Sequence, residues 1–101
     1  MFVLTIDQQR SRTKGDRVDA FLEVLRSGIA GREDVLVRPF ERTIGDEVQG
    51  LLSSADLAVE LALLALRTGE WQVGIGAGRV DEPIPASTRA ATGAAFVHAR
   101  D

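Results

Sequence analysis

Thr43-Ile44-Gly45-Asp46-Glu47-Val48-Gln49-Gly50-Leu51-Leu52 is the stretch whose reading decides the fold. A Gly-Asp step between β-compatible flanks is the composition of a two-residue hairpin, because glycine enters backbone regions that other residues resist. The tip carries two adjacent carboxylates, Asp46 and Glu47. One acidic residue at a turn serves local hydrogen bonding. A pair beside a buried strand also offers hard oxygen donors of the kind Mg²⁺ or Mn²⁺ takes. Turn chemistry alone leaves both readings open.

Working outward, residues 35–43 read as the strand entering the hairpin, with Pro39 inside it. Proline cannot donate to a ladder, so this strand belongs at a sheet edge. Residues 48–53 form the returning strand, and Ser53 or Ser54 caps an apolar helix over 56–68 that Gly69 closes. Leu57, Leu61 and Leu64 make one stripe of it, with Ala58, Ala62 and Ala65 alongside allowing close approach to a sheet. Upstream, residues 2–7 are β-favouring and apolar on both faces, which marks a central strand ending at Asp7. A polar loop with Arg10, Ser11, Arg12 and Lys14 follows, either a solvated loop or a phosphate clasp. Asp16 then caps an amphipathic helix carrying Val18, Phe21, Leu22 and Leu25, which Ser27-Gly28 ends.

Residues 70–78 read as a fourth strand. Gly74, Gly76 and Gly78 suggest a bulge or a close backbone approach, since their spacing does not fit a dinucleotide fingerprint. Trp71, at its start, reads as a packing residue, with stacking on a base as the lesser alternative. After a proline-containing loop a helical pattern begins at Thr92. The lone His98 in it reads as a rim residue, because no second histidine or cysteine is present to share a ligand role.

The order strand, helix, strand, strand, helix, strand predicts an α+β, ferredoxin-like split βαβ fold. It has a four-stranded antiparallel sheet with helices on one face and a partial C-terminal helix. The first and third strands are central neighbours and the second is an edge. Asp7 and Asp46 then meet at one rim beneath the basic 10–14 loop, close enough to share one cation. Glu47 lies nearby, turned away by strand alternation.

Bulk properties narrow the classes. A chain of 101 residues is one domain, and a net charge of −3 gives no general nucleic-acid signature. The absence of cysteine excludes a disulfide scaffold and a cysteine-based zinc site. The longest apolar stretch, 57–66, is broken by Glu60 and far short of the ~20 residues that span a bilayer. The start of the chain has no basic lead of a signal peptide. A soluble, cytoplasmic domain with no membrane association is expected.

Thr43-Ile44-Gly45-Asp46 resembles the hairpin of class III nucleotide cyclases, and Gly45-Asp46-Glu47-Val48-x-x-Leu51-Leu52 that of GGDEF diguanylate cyclases. More of the chain is similar to the SatD family of small bacterial proteins. The matching pieces are Asp7 with Ser11-Arg12, Gly45-Asp46-Glu47-x-Gln49-Gly50, Val73-Gly74-Ile75-Gly76-x-Gly78, and Gly93-x-Ala95-Phe96-x-x-Ala99-Arg100. The resemblance implies a palm-like core in which Asp7 and Asp46 fall on the metal-binding carboxylates. It also implies a regulatory domain that binds a nucleotide or phosphate ligand with Mg²⁺ or Mn²⁺. Arg10, Ser11, Arg12, Lys14, Gly45 and Glu47 are the candidate ligand contacts. Two alternatives stay open: an active nucleotidyl cyclase or transferase using Asp7 and Asp46, and a structural or dimerisation module. The resemblance further implies a homodimer and a longer protein of which this is the N-terminal part, with nucleic acid reached only through a C-terminal module. Residues 93–101 are accordingly expected to be frayed or packed on another copy.

Overall fold

Alternation along the first strand divides the molecule into two faces. The computed structural model describes residues 1–9 and 15–101. In β1 (Phe2–Gln8), Leu4 and Ile6 point to one side of the sheet, while Val3, Thr5 and Asp7 point to the other. β1 pairs antiparallel with β3 (Glu47–Leu52) and with β4 (Trp71–Ala77), and β3 pairs antiparallel with β2 (Leu36–Arg42). The order β2-β3-β1-β4 is the expected ferredoxin-like sheet, with β1 and β3 central.

Pro39 lies in the edge strand, where the ladder is irregular on both sides of Arg38. The missing N–H is thus tolerated at a place that lacks a full set of partners. Arg38 reaches from this strand to the carbonyls of Ile84, at 2.9 Å, and Pro85, and Thr88 Oγ1 donates to the Pro39 carbonyl at 2.6 Å. The segment after β4 therefore covers an edge that would otherwise be free to pair.

Helices α1 (Val18–Ile29) and α2 (Ala55–Leu66) pack on the Leu4 face. Ser54 caps α2 as anticipated, its side chain accepting from Leu57 N–H at 3.2 Å. Asp16 Oδ1 accepts from Val18 N–H at 2.9 Å, one residue ahead of the Arg17 cap position. Gly28 does not end α1. It lies inside the helix, where an added Cβ would stand 3.1 Å from Leu61 Cδ2, so its bareness is what lets α2 cross closely. Trp71 is buried in this core and stacks on Phe21, with ring centroids 4.3 Å apart at 23°. That contact occupies the ring considered as a base platform.

The opposite face corrects the expectation for the C-terminus. Residues 93–101 are neither frayed nor bare: α3 (Ala94–Arg100) docks on Val3 and Leu51 through Ala95, Phe96 and Ala99. Its backbone lies directly on the glycine stripe of β4. A Cβ on Gly74 would meet the Ala99 carbonyl, and one on Gly76 the Ala95 carbonyl. A seven-residue helix is marginal in isolation, and here tertiary packing supplies what length does not. The sheet thus carries two long helices on one face and this short one on the other. Among the described residues no helix is long and apolar enough to cross a membrane.

Candidate functional site

The candidate site forms at the rim where β1 ends, where the hairpin turns and where α3 stops. The hairpin tip is Gly45-Asp46, with Gly45 at φ +57° and Glu47 N–H donating to the Ile44 carbonyl at 3.0 Å. Thr43 N–H bonds the Glu47 carbonyl at 2.9 Å, so Thr43 and Glu47 face each other across the turn. Arg42 holds the tip in place. It donates to the Gly45 carbonyl at 2.8 Å and to Asp16 Oδ2 at 3.0 Å, linking the turn to the start of α1. The end of β1 meets the same turn, Gln8 N–H donating to the Asp46 carbonyl at 3.3 Å.

Register puts Asp7 directly opposite Glu47. Side chains of opposed residues share a face, so Glu47 is not turned away as alternation from Asp46 suggested: it is the carboxylate facing Asp7. Glu47 is buried, and its Oε1 accepts from Arg100 Nη2 at 3.0 Å and from the Thr43 hydroxyl. Asp7 is half-buried. Burial, then the negative charges of Glu47 and Asp46, push its carboxyl above the ordinary 3.8, and Arg100 offsets part of that rise. The sequence thus brought Asp7 and Asp46 within electrostatic reach, and the fold inserted Glu47 and Arg100 between them and the helix.

A groove of about 540 Å³ opens beside these groups, lined among others by Asp7, Gln9, Glu47, Gln72, Gly74 and Arg100. The two ends of the basic loop are anchored at its margin. Gln8, itself buried, donates from Nε2 to the Gly15 carbonyl at 2.7 Å and accepts from Arg17 N–H at 2.9 Å. Gln9 N–H donates to the Glu70 carbonyl at 2.7 Å, and Arg17 pairs with Glu70 at 2.6 Å. Arg10, Ser11, Arg12 and Lys14, the candidate phosphate contacts, lie outside the described residues.

Three functional features escaped the sequence reading. Arg100 reads in the sequence only as part of a helix pattern, yet its guanidinium pairs with Glu47 at the rim. Gln8 appeared as loop, yet it ties both flanks of that loop. Gln49, buried on the same face as Asp7, donates to Thr5 Oγ1 at 3.1 Å. The signal for Arg100 was available in the match between the bare face of β4 and the alanines spaced four apart in α3. His98 is exposed, with Nδ1 2.8 Å from the Ala77 carbonyl, at the end of the sheet away from Asp7. No family model matches this chain, and neither the curated proteins nor the solved structures contain a significant match to it.

Proposed function

We propose that this chain is a palm-like regulatory domain that takes up a phosphate-bearing ligand, a nucleotide, together with Mg²⁺ or Mn²⁺ at the rim of β1 and the hairpin. The observation that carries the reading is the facing pair Asp7 and Glu47 beside the groove at the rim, with the charge of Asp46 acting on Asp7. Burial first, and then repulsion by Glu47 and Asp46, raise the proton affinity of Asp7, and a cation bound at this rim would offset the repulsive part.

The donors fit a hard cation. They are all oxygens, and Mg²⁺ is commonly held by one or two carboxylates while ligand phosphates and water complete its shell. Asp7 and Asp46 would hold the ion, with Glu47 contributing what Arg100 leaves free. The ion would supply charge neutralisation to a phosphate group. The described residues shape the site: Arg42 fixes the turn, Gln8 ties Gly15 and Arg17 to the end of β1, and Arg100 fixes Glu47.

The test is thermal melting with Mg²⁺ or Mn²⁺ and a panel of nucleoside triphosphates, in the wild type and in Asp7→Asn and Asp46→Asn. A rise in Tm that needs both metal and nucleotide, and that either substitution removes, is expected. A nucleotide-induced rise indifferent to metal and to both aspartates would sink the proposal. Chromatography of the same mixtures separates binding from turnover, since a cyclic or transferred nucleotide would indicate catalysis.

A further inference from the structure

A second cavity, of about 340 Å³, lies over β3 between α3 and the 89–93 segment, and its lining has a different chemistry from that of the acidic rim. Its buried polar group is Gln49, 2% exposed, whose Nε2 donates to Thr5 Oγ1. Among the described residues no donor meets the Gln49 carbonyl oxygen, yet no buried side-chain polar atom is left without a partner. That oxygen is therefore reached by solvent, and this cavity is the opening Gln49 lines. Phe96 and Ala91 provide an apolar wall.

One arginine side chain lines the cavity without an ion-pair partner among the described residues. Arg89 sits in the 3-10 turn Thr88–Ala90, held there because its backbone N–H donates to Glu41 Oε1 at 2.8 Å. Its guanidinium has no hydrogen-bond or ion-pair partner among the described residues, so it is available at the mouth with its position set by the turn. Arg100 also lines the cavity but is paired with Glu47, and Asp101 is the one carboxylate in the lining. An acceptor in the lining, a phenyl wall and a free guanidinium make a pocket with few, separated polar groups on an apolar body, the usual form of a small-molecule site.

We propose that this cavity binds a small aromatic anion. Its carboxylate or phosphate pairs with Arg89, its ring lies on Phe96, and a hydroxyl or amine on the far side donates to Gln49. A guanidinium pairs with either head group, and Phe96 gives the cavity an apolar wall on which a ring can lie. The site uses neither Asp7 nor Asp46 and needs no metal.

The experiment is calorimetric titration, with backbone amide NMR, using 4-hydroxybenzoate and phenyl phosphate in EDTA. Saturable binding of either probe is expected, with shifts centred on Gln49, Arg89 and Phe96. Arg89→Gln, at an exposed side chain with no partner to lose, should weaken it about tenfold. So should replacing 4-hydroxybenzoate by the uncharged 4-hydroxybenzamide. Absence of saturable binding by both probes overturns the proposal, as does equal affinity for acid and amide, an unchanged affinity in Arg89→Gln, or shifts centred on Asp7. Because EDTA is present throughout, failure here leaves the metal-dependent nucleotide result standing, and the reverse also holds.

Discussion

The carbonyl oxygen of Ala99 lies 2.0 Å from where a Cβ on Gly74 would stand. The Ala95 carbonyl bears the same relation to Gly76, so two bare positions on β4 are the seat of α3. The atoms in the way are backbone, which cannot rotate aside as a side chain can. Gly74→Ala or Gly76→Ala is therefore expected to cost about 3 kcal/mol, the upper part of the overpacking range, in urea unfolding. Hydrogen exchange should show the amides of α3 losing protection before those of β1. An unchanged stability would mean that α3 is not seated on β4.

Arg100→Gln removes the guanidinium from Glu47, a carboxylate whose side chain is only 12% exposed. Thr43 then remains its side-chain partner. A loss of about 1–2 kcal/mol is expected, the cost of leaving a largely buried charged acceptor under-satisfied. The lowering influence of Arg100 on Asp7 also disappears, so a carboxyl NMR titration should show Asp7 protonating at higher pH than in the wild type.

Asp7 also sets a pH dependence. Its folded-state pKa is raised above 3.8, so the proton is bound more tightly in the folded chain than in the unfolded one. The stability this confers is fully present below pH 3.8 and is lost as pH rises through the higher folded value. Asp7→Asn removes the penalty that persists at neutral pH. Its Tm should exceed that of the wild type at pH 7, and the gap should close as pH falls towards 3.8. A gap that is constant with pH would show that Asp7 has an ordinary proton affinity.

On the other face, Phe21→Ala deletes one partner of the Phe21–Trp71 stack in a fully packed core. A cost of about 3–5 kcal/mol is expected, together with a red shift of Trp71 fluorescence as water reaches the indole. Trp71 is the single tryptophan of the chain, so the emission reports this site alone.

Local chemistry in the sequence determined the elements and their order. Gly45-Asp46 could only be a turn tip, Ser53 or Ser54 a cap, and Pro39 a residue of an edge strand, because each of these depends on near neighbours or on a missing donor. The order of the elements then set the sheet, and with it the approach of Asp7 to the hairpin. Tertiary structure decided what depends on register and on the second face. A one-residue difference in pairing exchanges the two faces of a strand, so the choice of Glu47 over Asp46 as the residue opposite Asp7 was not readable from spacing. The glycines of β4 and the alanines of α3 were each visible as small residues. Only their meeting in space made a docking surface, which brought Arg100 to a carboxylate 53 residues away in the chain.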